Sequence, residues 1–166
     1  MPLPALLTRA TIHPLFMEVT TGRIKELRDR TGVSVMQCKK ALESSGGDFE
    51  AAIQFLREHA NVSAGKKADR TLGAGAVANY THDGVIGAMV LLACETDFVA
   101  KNPEFATLAR DIAMQVAAMD PGSQEELLAE PFIKDGGRVV RDLLGEAVQK
   151  FGERIEIGSY ARLAVR

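Results

Sequence analysis

With 166 residues, 46% of them hydrophobic and 25% charged, the chain has a globular composition and enough apolar material for a real core. A net charge of −2 disfavours a phosphate-backbone binder, which would be basic, and no apolar run reaches the roughly 20 residues of a membrane-spanning helix. Two cysteines, Cys38 and Cys94, are too few for a secreted disulfide framework and read as reduced thiols of a cytosolic protein, so the expected partner is a protein or small molecule, with no nucleic acid and no membrane.

Residues 1–16 hold Pro2, Pro4 and Pro14 and no clear period, and read as a disordered or non-native leader with Met17 as the start. Three short helices follow up to Ala60. Ile24 and Leu27 stripe the first and Gly32 stops it. Ser34 reads as an N-cap with Gln37 as capping-box partner, and Val35, Cys38, Ala41 and Leu42 as the inner face of the second helix. Gly46-Gly47 breaks that helix, Asp48 caps the third, and Ala52, Ile53 and Leu56 recur at helical spacing. Such a trio closes a very small core, as ubiquitin-associated-type bundles do. Residues 61–75, with Lys66, Lys67, Arg70, Gly73 and Gly75, have the small and basic character of a linker that is in part helical.

A hairpin comes next, its strands at 77–81 and 85–94 flanking Asp83-Gly84. The second strand is apolar on both faces and is expected at the centre of a small sheet, covered on both sides. Phe105, Leu108, Ile112, Val116 and Met119 line one face of a helix that Asp120-Pro121-Gly122 ends. Residues 124–130 give one or two turns and 131–133 an extended piece. A last helix turns Val140, Leu143, Leu144, Ala147, Val148 and Phe151 inward and stops at Gly152. In the final strand, 155–165, Ile155 and Ile157 share one face and Tyr160 and Arg162 the other. The fold class is therefore α+β: a three-helix, ubiquitin-associated-like N-terminal module (17–60), a basic linker (61–75), and a core (76–166) of a three-stranded antiparallel sheet packed with helices.

The chemistry on offer is thin. Gly73-Ala74-Gly75-Ala76 mimics a dinucleotide fingerprint, but a basic linker precedes it and a strand follows, the reverse of what that site needs. Cys94, Glu95 and Asp97 cluster, with His82 within reach across the hairpin, yet a buried cysteine at a strand end is the commoner arrangement. His13, His59 and His82 have no metal-ligand spacing, so neither metal nor cofactor is expected. The pairs Lys39-Lys40 and Lys66-Lys67 read as solvated surface. By pattern alone, Phe98 tucks under the sheet as a core residue and Asp97 is an N-cap.

Several stretches change that picture. Ile24-Lys25-Glu26-Leu27-Arg28-Asp29-Arg30-Thr31-Gly32 with Met36-Gln37-Cys38-Lys39-Lys40-Ala41-Leu42, Gly47-Asp48-Phe49-Glu50-Ala51-Ala52-Ile53, Leu56-Arg57-Glu58 and Lys66-Lys67-Ala68-Asp69-Arg70 occur in order. So do Cys94-Glu95-Thr96-Asp97-Phe98-Val99-Ala100-Lys101-Asn102, Pro131-Phe132-Ile133 and Gly152-Glu153-Arg154-Ile155. Together they resemble the translation elongation factor Ts family, in its short form with a single core subdomain. Where that family has Gly-Ala-Gly-Met-Met-Asp, this chain has Gly32-Val33-Ser34-Val35-Met36-Gln37, so its first methionine is replaced by Val35.

The resemblance implies a cytoplasmic guanine-nucleotide exchange factor for elongation factor Tu, not an enzyme, and a homodimer. It implies that Thr96, Asp97, Phe98 and Val99 form a tip that disturbs the Mg²⁺ and phosphate-binding region of the G domain. Arg28, Val35, Met36 and Lys39 would dock the N-terminal module on that domain. Two competing readings are a ubiquitin-associated-like adaptor without exchange activity and an enzyme using Cys94.

Overall fold

The computed structural model describes residues 18–165, so the reading of 1–16 as a leader lies outside the described residues. Helix α1 (Thr21–Thr31) starts where the Thr20 hydroxyl accepts from the Arg23 N–H, and stops at Gly32, which adopts φ 68° and bonds back to the Arg28 carbonyl. Helix α2 (Val35–Ser44) starts at Ser34, whose hydroxyl accepts from the Gln37 N–H and donates to Gln37 Oε1. Helix α3 (Phe49–Gly65) starts at Asp48, whose carboxylate accepts from the Ala51 N–H at 2.7 Å. Ile24, Leu27, Cys38, Ala41, Leu42, Ala52 and Leu56 close one small core among them.

Val35 does not join that core. It is half-exposed, and Val33 in the preceding turn fills the position instead. Side chains on a helix lean toward its N-terminus, so the first residue after the cap points out over the corner rather than down onto α1.

The core begins with β1 (Ala74–His82) and β2 (Ile86–Cys94), joined at Asp83 and Gly84 with φ 49° and 69°. Two successive positive φ values make the turn that matches strand twist. Helices α4 (Asp97–Ala100), α5 (Pro103–Met119) and α6 (Gln124–Ala129) follow. A small ribbon, β3 (Pro131–Phe132) with β4 (Asp135–Val139), precedes α7 (Val140–Phe151) and β5 (Ile155–Ala164). The main sheet is antiparallel in the order β1-β2-β5. Phe105, Ala109, Ile112 and Val116 of α5 and Val140, Leu144, Ala147 and Val148 of α7 cover one face of it. Met119 leaves the α5 stripe and is half-exposed in the last turn.

Strand β2 is central, as its apolar run predicts, but the described residues cover only one of its faces. Ala88, Val90, Leu92 and Cys94 are buried, whereas Met89 is 53% and Leu91 38% exposed, beside Val77 at 64% and Leu163 at 80%.

The last strand departs from simple alternation. Leu91 pairs with Ser159 and Leu92 with Ile157, which leaves Gly158 as the extra residue of a bulge. The alternation shifts by one there, so Tyr160 and Arg162 rejoin the face of Ile155 and Ile157. The Tyr160 hydroxyl donates to the Pro121 carbonyl at 3.1 Å, and Arg162 Nε to the Ala117 carbonyl at 2.9 Å, so both tie β5 to the end of α5.

The three-helix module packs directly on the core. The buried Gln149 of α7 donates to the Leu56 carbonyl of α3 at 3.1 Å, and Lys67 Nζ donates to the Val148 carbonyl at 3.4 Å. Gly75, read as linker, lies within β1, where a Cβ would meet the Leu92 carbonyl oxygen at 2.6 Å. Gly75→Ala is therefore expected to cost about 1–3 kcal/mol in urea unfolding. Gly87→Ala, whose Cβ would meet nothing nearer than Thr81 Cγ2 at 3.6 Å, should stay within about 0.5 kcal/mol of the parent. Equal stability of the two variants would contradict the close approach at Gly75.

Candidate partner-binding site

The connection between β2 and α5 is short and held at both ends. Cys94 is the last residue of β2 and pairs with Ile155. Two residues later the Thr96 side chain caps α4, accepting from the Val99 N–H at 3.5 Å. Helix α4 is a single turn. Asn102 then caps α5 through the Glu104 N–H at 2.9 Å, with Pro103 at the first helical position, where its missing N–H costs nothing.

On this single turn Val99 faces inward, 4% exposed, with Ala100 packed partly beside it. Phe98 points the other way and is 82% exposed. Pattern alone puts Phe98 in the core, and the structure overturns that: the turn directs Val99 to the sheet and Phe98 to solvent. Asp97 is also exposed and accepts from Lys101 Nζ at 2.6 Å, which holds its carboxyl below the usual aspartate range. The four residues thus split into a cap (Thr96), an anchor (Val99), and two groups offered to solvent (Asp97 and Phe98).

Behind the turn lies a charged cluster that sequence reading misses. Glu153, just past the end of α7, accepts from the Glu95 N–H at 3.1 Å, from the Thr96 N–H at 3.0 Å and from the Thr96 hydroxyl at 2.6 Å. The Glu95 carboxylate accepts from the Arg154 N–H at 2.6 Å and from Arg70 Nη1 at 3.2 Å, and these donors hold it below the usual glutamate range. Arg154 Nη1 donates in turn to the Arg70 carbonyl at 2.6 Å. The only signal in the sequence was the run Gly152-Glu153-Arg154, and nothing in its spacing pointed to residues some 57 positions earlier.

Cys94 is not placed for nucleophilic work. Its thiol is buried, donates to the Thr96 carbonyl at 3.2 Å, and is pushed up by burial, with the Glu153 carboxylate adding to the effect. His82 is not beside it. It pairs with Ile86 at the turn end of the hairpin, whereas Cys94 pairs with Ala74 at the other.

Arg28 lies in the last turn of α1, and Val35, Met36 and Lys39 lie on α2. All four are exposed, Met36 to 76%. Lys39 makes a loose ion pair with Glu43 at 3.7 Å, within its own helix. These residues form an open α1–α2 surface, carried by different elements from the α4 turn.

A family model described as elongation factor TS matches residues 95–166, which begin at the turn just described. A protein named elongation factor Ts from Thermodesulfovibrio yellowstonii is 39% identical over 193 aligned positions, covering 90% of this chain and 97% of that one. Its namesake from Desulforamulus reducens is 38% identical, covering 87% and 88%. A third, from Clostridium kluyveri, is 40% identical over 148 positions that take in 89% of this chain but 48% of that protein, whose other half has no counterpart aligned here.

The opposite orientations of Phe98 and Val99 make a direct stability test. Phe98→Ala should shift unfolding by less than about 0.5 kcal/mol. Val99→Ala should cost about 1.5–3 kcal/mol, the loss of a buried aliphatic side chain. Melting curves that rank the two the other way would place Phe98 in the core.

Proposed function

The chain belongs to the elongation factor Ts family, and from that membership we propose that it is a cytoplasmic guanine-nucleotide exchange factor, releasing GDP from elongation factor Tu. The work requires no covalent step from the chain. It requires that the chain bind the nucleotide-free partner more tightly than the nucleotide-bound one, so that each ligand weakens the other by the same coupling free energy.

The observation that carries the proposal is Phe98: a large aromatic ring, 82% exposed, on a single helical turn fixed between a strand and a long helix. A rigid aromatic on a rigid mount suits a wedge, because ordering it costs little conformational entropy. The tip enters between helices of the G domain and displaces the groups that hold Mg²⁺ and the phosphate-binding loop. The metal and the loop N–H groups supply much of a nucleotide's phosphate affinity, so a small displacement there weakens GDP strongly. Asp97 adds a carboxylate beside that acidic metal environment. Arg28, Val35, Met36 and Lys39 dock the three-helix module elsewhere on the G domain and contribute affinity.

Two chains act together on this reading. The open face of the sheet, with Val77, Met89, Leu91 and Leu163, is an apolar surface that the described residues of one copy leave uncovered. A second copy supplies an identical surface, self-complementary about a two-fold axis. Cys94 faces the opposite side of β2, in the core, so no disulfide is involved.

Stimulated GDP release measures the first part. Phe98→Ala should bind elongation factor Tu and remain folded while the saturated release rate falls severely, and Asp97→Ala should be milder. Arg28→Ala should raise the half-saturating concentration and leave the saturated rate nearly unchanged. Unchanged release by folded Phe98→Ala would remove the ring from the mechanism, and no stimulation by the parent chain would favour a plain adaptor. The second part is read by sedimentation in reductant. A species heavier than the 17.9 kDa monomer is expected, converted to monomer by Met89→Asp. A clean monomer of the parent chain at about 50 μM would refute the dimer.

A further inference from the structure

We propose that Glu153 is a positioning residue for the tip: where β2 and β5 part, its carboxylate and that of Glu95 replace the β-ladder and keep the α4 turn from yielding under load. This rests on the exchange reading above for its functional consequence, but not for its geometry.

The ladder between β2 and β5 ends at the pair Cys94 and Ile155. Beyond it the Glu95 and Thr96 N–H groups lie past the pairing with β5, and without other partners the turn would be left to its Val99 anchor and the start of α5. The Glu153 carboxylate takes both N–H groups, at 3.1 and 3.0 Å, and the Thr96 hydroxyl at 2.6 Å. The bond is returned from the other strand end: the Glu95 carboxylate accepts from the Arg154 N–H at 2.6 Å. Each strand end thus lends a side-chain acceptor to the other's backbone, the work a ladder would do with carbonyls.

The Thr96 hydroxyl links this clasp to Phe98. It donates to Glu153 Oε1 and accepts from the Val99 N–H, so the carboxylate also orients the cap of α4. Charge-assisted bonds of this kind are short and roughly twice as strong as neutral ones. Two carboxylates side by side would repel, and cations from the tether relieve them. Arg70 Nη1 lies 3.2 Å from Glu95 Oε1, and burial and the neighbouring Arg70 push the Lys67 amine below its usual range, a shift that the Glu95 and Glu153 carboxylates oppose. The tether between module and core is thereby tied to the same turn that holds the tip.

A role in fold stability alone and a role in positioning differ in what they move. Glu153→Ala in the full chain should speed amide hydrogen exchange at Phe98 and Val99 while the melting temperature changes by a few degrees at most. Its saturated rate of stimulated GDP release should fall about tenfold or more, with the half-saturating concentration within about twofold of the parent. Glu153→Gln keeps one carbonyl acceptor and should lie between the two. It also serves if the alanine variant folds poorly. Native-like exchange protection at the tip in Glu153→Ala, or a raised half-saturating concentration with an unchanged saturated rate, would overturn the proposal. If Phe98→Ala itself releases GDP normally, the exchange reading has failed, and the amide-exchange comparison alone still decides whether the clasp holds the tip.

Discussion

Strand β2 is hydrogen-bonded along its whole length on both edges, to β1 on one side and β5 on the other. A strand so held cannot slip: a one-residue shift would carry Ala88, Val90, Leu92 and Cys94 out of the core and bring Met89 and Leu91 in. Its direction fixes where Glu95 and Thr96 emerge, and hence where α4 presents Phe98. Its buried face packs against α5 in the core that α7 shares, its open face is the apolar surface proposed for a second copy, and its end is the proposed mount of the tip. One element sets the geometry of both proposed interaction surfaces of the core.

The three-helix module gains a defined position from the same body. Its own core is small and supplies little stability alone. The buried hydrogen bond from Gln149 to the Leu56 carbonyl and the contact of Lys67 with the end of α7 attach it to a helix that lies on the sheet. An unpaired amide at Gln149 would be costly in that buried position, so the bond also favours this docking over alternatives. On the exchange reading, a partner held by the α1–α2 surface would meet the tip at a set distance, and affinity gained at the module would be applied at Phe98.

Much of this was legible in the chain. Asp83-Gly84 required positive φ twice in succession and could be little but a tight hairpin turn. Ser34 and Asp48 read as N-caps at the edge of apolar periodicity, and each accepts a backbone N–H at a helix start. What periodicity could not reveal were events that break it. The bulge at Gly158 moves Tyr160 and Arg162 to the covered face, and a glycine in a strand marks such a possibility without locating it. Val35 and Met119 sit at helix ends, where the stripe no longer predicts contact. Phe98 and Val99 are equally apolar neighbours, and only the placement of the turn decides which is buried. Resemblance to a family, and not patterning, had put Phe98 outside. Glu153 was invisible as a partner of Thr96 because the pairing of β2 with β5 is what joins them.

Exchange activity requires coupling between this chain and nucleotide on elongation factor Tu. The direct measurement is the affinity of elongation factor Tu for GDP with and without saturating chain, set against its affinity for the chain with and without GDP. An exchange factor must weaken GDP binding, and the two ratios must be equal, because they close one thermodynamic cycle. Faster GDP release together with equal ratios well above one is the result predicted here. Ratios of one, with tight binding of the chain but no change in GDP release, would mean that it docks on its partner without touching the nucleotide site.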